Sequence, residues 1–188
     1  DYPAHAIPSP EGCIFNGNHY WVADKNLGMV KALNSWDASS IFSNTPATDG
    51  SYRMDIQYGN VLVAGGGVTQ NLLNIYSQNG VYLFENEEWR NYNYKTEELI
   101  GEISDLDFIS VAVNQNNTDE FAFSSFSEGG IKIVKDGSSI SEVYTSENSI
   151  IENQSGVIAV PDMEYDQDGN LWYINRGLEP LKVITKDG

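Results

Sequence analysis

Three tripeptides, Asn16-Gly17-Asn18, Tyr58-Gly59-Asn60 and Asp168-Gly169-Asn170, each open a short apolar run, and this recurrence constrains the chain more than any other feature. The runs are His19-Tyr20-Trp21-Val22-Ala23-Asp24, Val61-Leu62-Val63-Ala64-Gly65 and Leu171-Trp172-Tyr173-Ile174-Asn175. A glycine that turns the backbone ahead of β-branched and aromatic residues reads as a tight turn entering a strand. A looser version, Asn116-Asn117-Thr118-Asp119-Glu120, leads into Phe121-Ala122-Phe123-Ser124-Ser125. Downstream, glycine introduces a second aliphatic strand in Gly28-Met29-Val30-Lys31, Gly80-Val81-Tyr82-Leu83-Phe84 and Gly130-Ile131-Lys132-Ile133-Val134, with Leu181-Lys182-Val183-Ile184 in the same slot. Ile133-Val134-Lys135-Asp136-Gly137 returns as Ile184-Thr185-Lys186-Asp187-Gly188, one repeat of the pattern later.

Innermost strands are expected upstream of the turns at 12–15, 52–57, 108–113 and 160–165, and outer strands at 39–42, 89–92 and 140–144. Four strands per unit is the recipe of a blade. The fold class is therefore all-β, a partial β-propeller of about three and a half four-stranded blades spanning 1–46, 47–100, 101–155 and an incomplete 156–188. Since a ring needs about four full blades to close, the expectation is that further blades lie outside this chain; the alternative is that residues 1–7 supply the missing outer strand.

Composition agrees with strands and turns, at 40% hydrophobic and 12% aromatic residues with 17 glycines among 188 residues. The best helical window, Lys95-Thr96-Glu97-Glu98-Leu99-Ile100, meets Gly101 after about two turns and is too short to stand alone. A formal charge of -17 repels phosphate backbones and anionic membrane surfaces, so no nucleic-acid partner is expected. No run of about 18 apolar residues marks a membrane span. The single Cys13 offers no internal disulfide and does not fix the compartment.

The run Met163-Glu164-Tyr165-Asp166-Gln167-Asp168-Gly169-Asn170-Leu171-Trp172 resembles the repeat signature of two-component regulator propellers, and Trp21-Val22-Ala23-Asp24 followed by Gly28-Met29-Val30 is similar to it. The stretch 108–137, with Val111-Ala112-Val113-Asn114, Phe123-Ser124-Ser125 and Gly129-Gly130-Ile131, looks like a longer blade found in PorZ-like proteins of Bacteroidetes type IX secretion. The resemblance rests on turn and core positions and so speaks for fold more than activity. It implies an exported protein, secreted, periplasmic or on the outer-membrane surface of a Gram-negative bacterium. As partners it implies further propeller blades or a second propeller domain, and lipopolysaccharide or another glycan.

Asp166, Asp168 and Asn170 alternate oxygens ahead of a glycine as a calcium loop does, but Asn175 stands where the closing bidentate acid is required, so a hairpin turn is expected. Gly65-Gly66-Gly67 is followed by Val68-Thr69-Gln70 rather than Gly-Lys-Ser or Gly-Lys-Thr, and reads as a flexible loop ahead of an insertion at 68–77. His5 and His19 stand apart from each other and from Cys13, so no metal site is expected. Ser124, Ser125 and Cys13 lack a nucleophile elbow or an obvious histidine partner, so neither catalysis nor a cofactor is expected. Trp21 and Trp172 hold matching places and are expected to pack between sheets, whereas Trp36 and Trp89 fall near outer strands. Asn175-Arg176 and Ser125-Phe126 follow equivalent strands and should share one rim, which makes Asn175, Arg176, Ser125 and Phe126 the expected ligand contacts. The function expected is a non-catalytic binding and scaffold propeller of the PorZ-like kind, in type IX secretion and anionic lipopolysaccharide delivery. The alternatives are a periplasmic glycan-sensing ectodomain of a hybrid two-component regulator and a polysaccharide-active enzyme domain.

Overall fold

A computed structural model describes residues 7–34, 36–41 and 44–187. Among them every regular element is a β-strand, and the strands group into four antiparallel sheets in two compact units, 1–45 and 46–188.

The first unit is one meander of β1 (Pro10–Phe15), β2 (Tyr20–Asp24), β3 (Gly28–Ala32) and β4 (Ala38–Ile41), paired in chain order. Asp24 Oδ1 organises its central hairpin by accepting from the backbone of Asn26 and Leu27 at 2.9 and 3.0 Å. Residues 1–6 and Phe42 lie outside the described residues, and with them most of the proposed ring-closing segment and the end of the expected outer strand.

The second unit is a partial β-propeller with three sheets. Strands β5 (Arg53–Gln57), β6 (Asn60–Ala64), β7 (Val81–Glu85) and β8 (Glu88–Tyr92) form one sheet. Strands β9 (Phe108–Val113), β10 (Phe121–Ser125), β11 (Ile131–Val134) and β12 (Ile140–Tyr144) form the next. The last contains β13 (Asp162–Tyr165), β14 (Leu171–Ile174) and β15 (Leu181–Ile184). The first strands of the sheets are neighbours, with β9 between β5 and β13. Side chains tie them together: Arg53 Nη1 reaches Asp162 Oδ1 at 2.6 Å, and Asp55 Oδ2 accepts the Val113 amide at 2.7 Å. The Ser110 and Ser124 hydroxyls both donate to the Val160 carbonyl, at 2.8 and 2.9 Å.

The first three strands of the middle sheet are buried on both faces, which explains why they read as nearly continuous apolar runs. Toward β5–β8 the sheet presents Val111, Val113, Phe121, Phe123 and Val134, which meet Leu62, Leu83 and Tyr92. Toward β13–β15 it presents the smaller Ala112 and Ala122 with Ile131 and Ile133, which receive the bulkier Tyr165, Leu171 and Tyr173. Large meets small across the second interface, as close packing requires. Each fully buried aromatic or aliphatic side chain contributes roughly 1.5–3 kcal/mol.

The flanking sheet alternates instead. In β14 Leu171 and Tyr173 are buried while Trp172 and Ile174 face outward, so Trp172 is 41% exposed and does not pack between sheets as its sequence position suggests. The two-residue period gives the inner face to its neighbours, and its indole Nε1 donates to Asp166 Oδ2 at 2.8 Å. Trp21, in the first unit, is half-buried with the Lys31 ammonium 5.8 Å from its ring centroid. Trp36 is exposed, and Trp89 lies tilted against Phe84 with centroids 5.1 Å apart.

Gly65-Gly66-Gly67 is not a flexible loop. The Gly65 amide bonds the Gly80 carbonyl at 2.9 Å and the Gly66 amide the Phe108 carbonyl at 3.0 Å, so the segment clamps the first two sheets of the unit together. A Cβ at Gly66 would overlap the backbone of Asp107 and Phe108.

Candidate functional site

One rim of the second unit is built from the hairpins between second and third strands and from the crossovers between sheets. Its organising feature is a buried polar side chain repeated in one slot, the second residue of the third strand, each time hydrogen-bonded to a residue of the crossover before its sheet. In β11 Lys132 Nζ ion-pairs with Asp105 of the preceding crossover and donates to the Gly129 carbonyl at 2.8 Å. Asp105 Oδ2 accepts the Gly101 amide at 2.8 Å and the Ser104 hydroxyl at 3.2 Å. Lys132 and Asp105 side chains are 1% and 4% exposed. Burial pushes the Lys132 ammonium below its usual range, and the Asp105 charge and hydrogen bond oppose that push.

In β15 the same slot holds Lys182, whose Nζ donates to Glu152 Oε1 and Asn175 Oδ1, both at 2.9 Å. Glu152 in turn accepts the Leu178 and Glu179 amides at 3.1 and 3.4 Å. The Lys182 ammonium and the two amides hold the Glu152 carboxyl below the ordinary range. In β7 the slot holds Tyr82, whose hydroxyl shares a 2.7 Å hydrogen bond with Thr48. Gly129 and Gly177 let the first two pairs sit close to the hairpins, because a Cβ at either would overlap the Asp105 or Glu152 carboxylate and displace it.

Of the expected ligand contacts, Asn175 is fully buried and holds the crossover: its Oδ1 accepts the Glu152 amide at 2.6 Å, and its Nδ2 donates to the Glu152 and Ala159 carbonyls at 3.2 and 3.3 Å. Ser125 is buried, with an Oγ that has no hydrogen-bond partner. Phe126 packs with Ile109 and Ala159. Arg176 is exposed, with its amide on the Ala159 carbonyl at 2.9 Å. Residues 125 and 175 do occupy equivalent places at the ends of their strands, but beneath the rim surface.

The open surface of the rim is formed by other residues, in two adjoining hollows of about 550 and 660 Å³ that share Gly101, Ser104 and Glu128. Lys132 and Asp105 floor the first, and Tyr76, Ile103, Leu106 and Val157 line the second. The exposed carboxylates Glu98, Glu102, Glu128 and Glu147 surround both. Nothing in the sequence marks these acids out among 27. The Lys132 and Lys182 pairs did carry a signal, since each lysine interrupts an otherwise apolar strand in the same slot.

The insertion at 68–77 forms one wall. Asp107, wholly buried, accepts the amides of Ile75, Tyr76 and Ser77 at 3.0, 3.0 and 2.7 Å. Asn74 Nδ2 donates to the Phe126 carbonyl at 2.6 Å, and Val68 bridges Asn74. Leu72 and Tyr76 take positive φ of 56° and 62°. Asp107→Ala strands three amides, and a hydrogen bond to a charged group is worth about 1.5–3 kcal/mol. The expected outcome is a loss of roughly 3 kcal/mol or more, with selective gain of hydrogen exchange and proteolytic cutting across 68–77. An insertion as protected in the variant as in the parent would contradict this anchoring role.

The Asp166 turn is a hairpin, as its residues suggest. Oδ1 accepts the Asp168 and Asn170 amides, both at 2.9 Å, and Oδ2 takes Asn170 Nδ2 at 2.9 Å as well as the Trp172 indole. These donors, Asn170 and Trp172 foremost, hold its carboxyl well below the usual range. Among the described residues no group of three or more His, Cys, Asp or Glu is placed to hold a metal ion. Cys13 is exposed and unpaired, and His5 lies outside the described residues.

No family model matches the chain, and no curated protein matches it. Among solved structures it is similar to PorZ of Porphyromonas gingivalis, an essential bacterial surface component of the type IX secretion system, with a TM-score of 0.67 and 21% identity over 92% of this chain. It is also similar to a catalytically inactive virginiamycin B lyase from Staphylococcus aureus crystallised with quinupristin, with a TM-score of 0.52 and 12% identity over 100% of this chain. The chain spans 24% of the PorZ structure and 56% of the lyase. At identities this low the likeness shows a shared fold alone.

Proposed function

We propose that this chain is a non-catalytic binding and scaffold segment of an exported or surface-located propeller protein, PorZ-like, serving type IX secretion and the delivery of anionic lipopolysaccharide. The observation that supports it most is the likeness of its blades to PorZ over 92% of the chain. The rim is consistent with a scaffold, because buried Asp105, Asp107 and Asn175 and half-buried Glu152 all accept backbone amides and so hold loops. Carboxylates line its open hollows, so a polyanion is repelled there. In this reading lipopolysaccharide contacts belong elsewhere in the full-length protein, and this segment positions another component.

The test uses the full-length protein and a deletion strain. Purified lipopolysaccharide fractions should bind the protein, and the deletion strain should fail to place type IX cargo on its surface. No binding together with normal secretion would overturn the proposal. Cleavage of a polysaccharide that is lost on substituting rim acids would replace it with the enzyme reading.

A further inference from the structure

Tyr76 and Ile103 are 73% and 81% exposed yet border a concave, partly apolar wall completed by Leu106 and Val157. Leu72, Leu73 and Ile75 of the same insertion are also exposed. An apolar patch with a polar rim marks an interaction surface.

The wall is preorganised. Buried Asp107 fixes the insertion through three amides, and it does so although Leu72, Tyr76 and Asp107 itself all stand in the left-handed backbone region. That conformation costs a side-chain-bearing residue about 1 kcal/mol or more, so the tip is held in place rather than left to find its own minimum. A rigid surface loses less entropy when a partner arrives.

Charge and size narrow the occupant. No ion pair among the described residues engages Glu98, Glu102, Glu128 or Glu147, whereas the only cation lining the hollows, Lys132, is already paired with Asp105. The cleft therefore carries uncompensated negative charge beside apolar surface. Each hollow, of about 550 and 660 Å³, has the volume of one small-molecule pocket, and the three residues they share join them into one continuous trough that an extended segment can follow.

We propose that this trough is a docking site for an extended, basic segment of a partner protein, with Lys or Arg residues meeting the four glutamates and an apolar side chain seated against Tyr76, Ile103 and Val157. The inference rests on the scaffold reading in taking the bound component to be a protein. Charge would steer the encounter and the apolar anchor would set its lifetime.

Fluorescence anisotropy with the full-length protein tests it, using as probe a fluorescein-labelled nine-residue peptide that alternates lysine with leucine. At physiological ionic strength the probe should bind, while analogues with glutamate for lysine or serine for leucine should bind at least about tenfold more weakly. Glu102→Lys with Glu128→Lys should weaken the probe by about tenfold, as should Tyr76→Ser with Ile103→Ser. Glu88→Lys with Asp168→Lys, which reverses the same charge at the start of β8 and in the Asp166 turn, both at the other rim, should change affinity less than about twofold. Equal losses from both charge-reversed pairs would mean unspecific attraction to an acidic protein and overturn the proposal. Tighter binding of the glutamate analogue, or of lipopolysaccharide micelles, at these residues would overturn it too. If the cleft variants lose the probe while the deletion strain secretes normally, the scaffold reading fails alone; if secretion depends on the protein but the variants bind the probe unchanged, only the docking proposal fails.

Discussion

Gly66→Ala is expected to unfold or nearly unfold the second unit, lowering its stability by roughly 3 kcal/mol or more. The added methyl would stand within the Asp107 and Phe108 backbone, where no flexible side-chain end can yield. Relief requires parting the first two sheets, which breaks the Gly66 amide bond to Phe108 and opens the layer of Leu62, Leu83, Phe108 and Phe123. Gly59→Ala is the matched control: its φ is 91° but a Cβ there meets nothing within 4 Å, so the loss should be limited to backbone strain of about 1–2 kcal/mol. Urea unfolding followed by tryptophan fluorescence compares the two. A Gly66→Ala midpoint equal to that of Gly59→Ala would mean the sheets are not in backbone contact at this point.

Asp105→Ala should have the second-largest effect, about 3–5 kcal/mol, because it leaves the Lys132 ammonium buried with only the Gly129 carbonyl for company. Lys132→Met should cost less, since Asp105 keeps the Gly101 amide and the Ser104 hydroxyl. The double variant removes both charges and should recover most of the loss from Asp105→Ala, giving a large coupling energy in the cycle. Glu152→Ala should be milder than Asp105→Ala: its side chain is 31% exposed, water can reach the stranded Lys182, and Asn175 Oδ1 remains as a partner. Additive single variants at 105 and 132 would show that the pair does not bind the crossover to the blade.

The strand order of each sheet was legible because turns and strands are local. Asn-Gly and Gly-Asn pairs mark the hairpins, and the glycine before the third strand has a specific cause at Gly80 and Gly130. Both have positive φ, of 82° and 66°, and a Cβ at either would collide with the carbonyl of the outer strand, Tyr92 or Tyr144. Where no outer strand pairs with β15 among the described residues, Pro180 stands in that position, and its carbonyl accepts the Asn175 amide as Gly80 and Gly130 accept those of Gly65 and Ser125.

What sequence pattern could not give was the depth of polar residues and the direction of aromatic ones. Trp172 fits a core aromatic by composition, yet the alternation of β14 assigns the buried face to Leu171 and Tyr173. Ser125 and Asn175 fall at the correct strand ends, but buried beneath crossovers that the sequence does not place. The rim trough was illegible for the same reason: it arises where segments 74–76, 98–106, 127–132, 143–147 and 153–157 converge, and no single stretch carries its signature. The triple glycine misled because glycine serves loops and close backbone approaches alike, and only the Phe108 carbonyl distinguishes them.

Amide hydrogen exchange, read residue by residue by NMR, tests most directly whether the sheets stack radially around β9. With β9–β11 covered on both faces, their amides should be the slowest in the second unit, exchanging only through its global unfolding, while β15 exchanges fastest among its strands. Amides of β9–β11 that exchange no more slowly than those of β13–β15 would contradict the account.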